Sequence, residues 1–225
     1  MIFPLIFRPS PAESGAKVVS ELVQRFGRDL LVLAQQEQFA LWPHAALEVA
    51  FMHHIGQLNL AGHLSSLPEA IIQAAIHQQI KLGTAESCTG GLAASLLTDV
   101  AGSSAVMQGG VVSYSNDVKM NVLGVTASTL AEFGAVSIPV AQAMATGAAK
   151  ALKADLVVSF SGIAGPGGGS AEKPVGTVAL GTAWRGNASA KLYHFTGDRR
   201  SLKQQFAMQG LLKVWAILND LDEAN

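Results

Sequence analysis

Hydrophobic and polar positions follow two regimes along this chain, and the change falls near residue 65. Upstream, glycines are few. Val18, Val19, Leu22, Val23 and Phe26 recur at helical spacing, and so do Leu30, Leu31, Leu33 and Ala34. Pro9, Pro11 and Pro43 punctuate the region. These patterns predict a helical N-terminal extension over residues 1–65. From 66 to 225, short apolar runs alternate with amphipathic stretches, which argues for a separate α/β domain.

The second regime resolves into elements. Pro68–Ile80 predicts an amphipathic helix with Pro68 in its first turn. Lys81–Glu86 predicts a short strand and Gly91–Leu97 a helix after a glycine turn. Gly110–Tyr114 reads as a second strand, and Thr126–Glu132 as a short helix capped by Thr126. Ile138–Lys150 is a helix rich in small residues, whose stretch from Val140 to Ala151 suits a close dimer contact. Leu156–Phe160 is β-rich and predicts a buried strand. Thr177–Trp184 and Ala190–Phe195 flank Arg185-Gly186-Asn187, a hairpin signal. Leu202–Leu218 closes the chain as a helix. The predicted fold is a three-layer α/β/α sandwich with a mixed sheet, plus the extra helical N-terminal segment. No internal repeat is visible.

Composition narrows the function classes. Of 225 residues, 49% are hydrophobic and 14% charged, which excludes a disordered chain. Lys and Arg number 15 against 16 Asp and Glu, so no basic excess points to nucleic acid. A single cysteine excludes a disulfide scaffold and fits a reducing compartment. The apolar start, Met1–Phe7, is broken by Pro4, ended by Arg8 and too short to span a bilayer. Ala45–Leu64 carries Glu48, His53, His54 and His63, which suits a packed or surface helix better than a membrane span. The protein reads as soluble and cytoplasmic, with no membrane partner. His53 and His54 are adjacent, so on a helix they point apart, and no Cys or carboxylate stands at ligand spacing. No metal site is expected.

Three loops follow predicted strands, where ligands gather in open α/β sheets. Thr84-Ala85-Glu86-Ser87-Cys88-Thr89-Gly90-Gly91 places hydroxyls and glycines between a strand and a helix. Free N–H groups at a helix start favour an anion. An ordinary strand-turn-helix with Thr89 as N-cap fits the same residues. Ser113-Tyr114-Ser115-Asn116-Asp117-Val118-Lys119 joins hydroxyls, an amide, an acid and an amine. A lysine there can act as base if its pKa falls through burial; a solvated surface lysine is the alternative. The third loop, Ser161-Gly162-Ile163-Ala164-Gly165-Pro166-Gly167-Gly168-Gly169, runs on to Lys173-Pro174-Val175-Gly176. It matches neither a P-loop nor G-x-G-x-x-G. It reads as a phosphate-approaching loop, with Lys173 as a point charge, or as a mobile loop.

Taken together, these segments resemble the CinA C-terminal domain family, which includes nicotinamide mononucleotide amidohydrolases. The resemblance rests on Ala85-Glu86-Ser87-Cys88-Thr89-Gly90-Gly91, Tyr114-Ser115-Asn116 with Lys119, and Leu123-Gly124-Val125. It continues through Gly134-Ala135-Val136-Ser137, Gly162-Ile163-Ala164-Gly165-Pro166, Lys173-Pro174-Val175-Gly176 and Gly197-Asp198-Arg199. It runs from about Pro68 to Leu218. It implies hydrolysis of the carboxamide of nicotinamide mononucleotide to nicotinate mononucleotide and ammonia, in pyridine-nucleotide recycling. No cofactor or metal is implied.

The resemblance also implies roles. Ser87 is the nucleophile and Lys119 its general base. Backbone N–H groups around Thr89, Gly90 and Gly91 hold either the oxyanion or the substrate phosphate. Tyr114 stacks on the pyridine ring or donates its hydroxyl, and Asn116 orients the carboxamide or the lysine. Glu86 tunes Lys119 or simply ends the strand. Ser161, where the family has threonine, joins Gly162, Gly165 and Lys173 in contacting substrate, and Arg199 suits phosphate. Cys88 is a small buried residue or, less simply, a thiolate nucleophile.

A homodimer or higher homo-oligomer is expected. Residues 1–65 do not look like the larger N-terminal domain of full-length CinA proteins and are too short for it. They form extra helices, or lie upstream of a native start at Met52. The alternative to an enzyme is a non-catalytic nucleotide-binding or protein-interaction module of the same fold.

Overall fold

The computed structural model describes residues 5–9, 30–35, 38–43 and 62–219. The chain divides into two units, Met1–Ala70 and Ile71–Asn225.

In the first unit, β1 (Leu5–Pro9), β2 (Leu30–Gln35), β3 (Gln38–Pro43) and β4 (Gly62–Ser66) form a sheet in the order β2-β3-β1-β4. All its pairings are antiparallel. This corrects the helical reading of Leu30–Ala34. A short continuous apolar run does not distinguish strand from helix by spacing alone. Here its backbone is satisfied by pairing Leu30–Gln35 with Pro43–Gln38. The helical pattern from Val18 to Phe26, His44 and the His53-His54 pair lie outside the described residues.

From α1 (Leu67–Gln78) onward the expected alternation is present, with Ser66 and Glu69 closing a reciprocal cap at its start. The second unit is built on a five-stranded sheet of β5 (Leu82–Glu86), β6 (Met107–Val112), β7 (Leu156–Gly162), β8 (Thr177–Trp184) and β9 (Asn187–His194). Its order is β6-β5-β7-β8-β9. β5 is parallel to β6 and β7, whereas β7-β8 and β8-β9 are antiparallel, so the sheet is mixed. Arg185 and Gly186 make the β8-β9 turn with φ of 50° and 81°. Left-handed backbone at both central positions matches the twist of the strands it joins.

The sheet carries α2 (Leu92–Thr98) and α6 (Arg199–Leu218) on one face and α5 (Ile138–Leu152) on the other. Alternation along the strands assigns the faces. Ala85 and Val157 join Val140, Met144, Ala145 and Ala148 in the core beneath α5. Ser159 donates its hydroxyl to the Ala141 carbonyl at 2.6 Å on that side. Val158 and Phe160 point the other way, where a Cβ on Gly210 of α6 would meet the Phe160 ring at 2.3 Å. The register sets Thr84 beside Val158 and Glu86 beside Phe160, so Glu86 faces α2.

One face of α5 packs inside the domain. Val140, Ala141, Met144, Ala145 and Ala148 are buried, and a Cβ on Gly147 would lie 1.8 Å from the Leu123 carbonyl. They permit close approach within the fold.

Some boundaries differ from those expected. The predicted Gly110–Tyr114 strand is Met107–Val112. The second loop is partly helical: α3 (Asn116–Asn121) begins after Ser115, whose hydroxyl accepts from the Val118 N–H. α4 (Ala127–Phe133) follows, capped by Thr126 as expected.

Candidate active site

β5 ends at Glu86, and the next residue, Ser87, is held by its N–H donating to the Phe160 carbonyl of β7 at 2.9 Å. The chain then turns through Cys88-Thr89-Gly90-Gly91 into α2. Gly90 and Gly91 have φ of 66° and 94°, a backbone that other residues adopt only under strain. The turn leaves Ser87 half-buried at the carboxyl end of the parallel strands.

What fixes this turn is the Glu86 carboxylate, which is fully buried. One oxygen accepts from the Gly91 N–H at 2.9 Å and the Ala93 N–H at 3.1 Å. The other accepts from the Ala94 N–H at 2.8 Å and the Thr84 hydroxyl at 3.1 Å. An internal anion therefore fills the donor set at the start of α2. Three consequences follow for the expected roles. Glu86 faces the helix and not an open pocket. The Gly91 N–H is already spent. Thr89 is not the N-cap; its hydroxyl is buried and has no hydrogen-bond partner among the described residues.

Lys119 reaches Ser87 from α3. Ser115 caps that helix and directs the side chain inward, where only 1% of it is exposed. Lys119 Nζ lies 3.1 Å from Ser87 Oγ, 2.8 Å from the Ser113 carbonyl and 3.4 Å from the Tyr114 carbonyl. Burial disfavours the ammonium form and holds the Lys119 pKa below its ordinary value of 10.5. A hydroxyl within reach of an amine made less basic by burial is an arrangement in which the amine could serve as its base.

Burial pushes the Cys88 thiol up to about 12, so it stays protonated near neutral pH. The thiolate is the nucleophilic form, so the environment opposes a cysteine mechanism.

The outer wall joins three segments. Arg199, first residue of α6, donates to the Gly165 carbonyl at 2.7 Å and to the Tyr114 hydroxyl at 3.2 Å. Tyr114, Gly165 and Arg199 therefore lie together. Asp198 caps α6 by accepting from the Ser201 N–H, so this helix starts three residues before the expected Leu202. Other expected residues have structural engagements. The Ser161 hydroxyl donates to the Ala135 carbonyl at 2.6 Å. Lys173 Nζ donates to the Phe133 carbonyl at the end of α4, at 2.8 Å. Gly162 packs under β8, where a Cβ would meet the Thr177 carbonyl at 2.8 Å. Asn116 is exposed at the start of α3.

Two groups at the site were not singled out by sequence. The Ser113 carbonyl accepts from Lys119, a main-chain role that no side-chain pattern signals. Lys203 lies one turn beyond Arg199, and a Cβ on Gly90 would be 3.5 Å from its Nζ. The spacing of Arg199 and Lys203 would have placed both on one face of α6 had the helix been started at Asp198.

Among the described residues, no group of three or more His, Cys, Asp or Glu is placed to hold a metal ion. No described helix is long and apolar enough to cross a membrane.

Comparison with known proteins fits this architecture. The family model of the CinA C-terminal domain matches residues 64–218. The chain belongs to the CinA C-terminal domain family. The nicotinamide-nucleotide amidohydrolase PncC of Escherichia coli (strain K12) is 49% identical over 154 residues, covering 68% of this chain and 93% of that protein. A CinA-like protein of Chlorobium limicola is 42% identical over 177 residues. That match covers 76% of this chain but only 41% of the longer relative. Among solved structures, the competence/damage inducible protein CihA from Agrobacterium tumefaciens superposes with a TM-score of 0.63 at 42% identity. It covers 69% of this chain and 97% of its own. A CinA superfamily protein from Klebsiella pneumoniae gives a TM-score of 0.66 at 37% identity, covering 68% and 96%. These matches confirm the family expected from the sequence and its α/β fold.

Proposed function

We propose that this protein is an amidohydrolase that converts nicotinamide mononucleotide to nicotinate mononucleotide and ammonia, with Ser87 as nucleophile and Lys119 as general base. The observation that carries this reading is the 3.1 Å contact between Ser87 Oγ and Lys119 Nζ, made by a lysine buried to 1% exposure. The similarity to Escherichia coli PncC supplies the substrate.

Neutral Lys119 takes the Ser87 hydroxyl proton as Oγ attacks the carboxamide carbon. The carbonyl oxygen becomes an oxyanion, held by main-chain N–H groups of the Cys88–Gly90 turn. Gly91 is not among the donors, because Glu86 holds its N–H. The intermediate collapses, the carbon–nitrogen bond breaks, and Lys119 returns the proton to the leaving amine, which departs as ammonia. Water, deprotonated by Lys119, then attacks the Ser87 ester; the bond from carbon to Oγ breaks, Lys119 returns the proton to Oγ, and nicotinate mononucleotide is released. The Ser113 and Tyr114 carbonyls hold Nζ in line through these proton transfers.

Product analysis tests the reaction class. The protein incubated with nicotinamide mononucleotide should yield ammonia and the deamidated mononucleotide in equal amounts. Free nicotinamide as the product would place the cleavage at the glycosidic bond and contradict the proposal. Binding without any product would favour the non-catalytic module instead.

A further inference from the structure

We infer that Lys203 recognises the substrate's phosphate and so sets the preference of the Ser87 site for a nucleotide over a nucleoside; the inference rests on the amidohydrolase reading above. A nucleotide whose carboxamide lies at Ser87 carries an anion that this pocket must meet with donors or charge.

Several other groups suited to an anion already hold partners within the fold. The Gly91, Ala93 and Ala94 amides at the start of α2 donate to the buried Glu86 carboxylate, which also repels a second anion there. Lys173 Nζ is bound to the Phe133 carbonyl. Lys119 Nζ is held by Ser87 and two carbonyls and acts while neutral. Arg199 spends two of its five donors on Gly165 and Tyr114, which fixes the guanidinium in place.

Lys203 differs from all of these. No hydrogen bond or ion pair engages its ammonium among the described residues, and it is half-buried. It stands against Gly90, where a Cβ would lie 3.5 Å from Nζ. Glycine at that position leaves the approach between ammonium and backbone open. Three residues of chain reach at most about 10 Å, so this charge and Ser87 are within one nucleotide's length. A partly desolvated ammonium attracts phosphate more strongly than a fully solvated one. Lysine serves phosphate as a point charge with rotatable donors, which tolerates a flexible ester. A nucleoside leaves that charge unpaired, and sites built around a polar partner discriminate strongly against substrates lacking it.

The test compares nicotinamide mononucleotide with nicotinamide riboside. Turnover is measured for the wild type, Lys203→Gln and Lys203→Arg. Binding is measured by calorimetry for Ser87→Ala with and without Lys203→Gln, and thermal unfolding checks each variant's fold. The expected result is a fall of about 10- to 100-fold in kcat/KM and affinity for the mononucleotide in Lys203→Gln. The preference over the riboside should shrink by the same factor, and Lys203→Arg should restore most of it. An equal fall on both substrates would overturn the inference, because Lys203 would then serve the oxyanion or the fold. An unchanged preference would also overturn it. Failure of the amidohydrolase reading looks different: the wild type would bind the mononucleotide without releasing ammonia, and the binding arm would still decide the role of Lys203.

Discussion

Lys119 Nζ lies 3.1 Å from Ser87 Oγ while donating to the Ser113 carbonyl at 2.8 Å. One contact places the amine on the Ser87 hydroxyl, and the other keeps it there. Because burial lowers the Lys119 pKa, more of the lysine is neutral at a given pH than a solvated one would be. The base must be neutral, so kcat/KM for amide hydrolysis should rise with pH through a pKa below 10.5 and then level off. Lys119→Ala should lower the rate by about 10²- to 10⁴-fold and remove this ascending limb. A profile with the same limb in the variant would assign the titration to another group.

Glu86 tests how the Ser87 turn is held. Glu86→Gln keeps the shape but turns an NH2 group toward donors now met by a carboxylate oxygen. Each oxygen accepts two hydrogen bonds, so two donors lose their acceptor. The expected cost is about 2–4 kcal/mol of stability, read by denaturant unfolding, with a fall in kcat as the Ser87 turn loosens. Unchanged stability would show that the turn does not depend on this anion.

Cys88→Ala separates the two candidate nucleophiles that stand side by side. With the thiol pushed up to about 12, the variant should retain most of its turnover, with a modest loss of thermal stability from the smaller side chain. Loss of turnover in a folded variant would favour cysteine chemistry.

Gly147→Ala tests the close packing of α5. The new Cβ would meet the Leu123 carbonyl at 1.8 Å, a main-chain atom that cannot rotate away. Overpacking of this kind costs about 1–3 kcal/mol or more. The expected fall in Tm is about 2–4 °C for each kcal/mol lost. An unchanged Tm would mean that α5 shifts freely on the sheet.

Much of the second unit is legible in the sequence because local signals and tertiary needs agree there. Thr126 caps its helix, Arg185-Gly186 turns its hairpin, and the apolar run of β7 is buried against helices on both faces. The strand at Leu30–Gln35 is not legible in the same way, since its five leading apolar residues carry no clear period and its partner is needed to decide. The residues Ser87 and Lys119 stand out by motif, but their meeting depends on α3, a short helix hidden in a polar segment. Glu86 is visible as a residue and its engagement is not. Sequence shows a carboxylate before a glycine turn, whereas only the folded turn brings the Gly91, Ala93 and Ala94 amides onto it. Lys203 escapes because the Asp198 cap, which brings it into register with Arg199, is read as part of a loop.

The most direct test of the central claim is ammonia release from nicotinamide mononucleotide by the wild type, Ser87→Ala and Lys119→Ala, each shown to be folded by its thermal unfolding. The expected result is stoichiometric ammonia and nicotinate mononucleotide from the wild type and near-complete loss in both variants. Full turnover in folded Ser87→Ala would contradict it, because the hydroxyl that Lys119 contacts would then not be the group that attacks the amide.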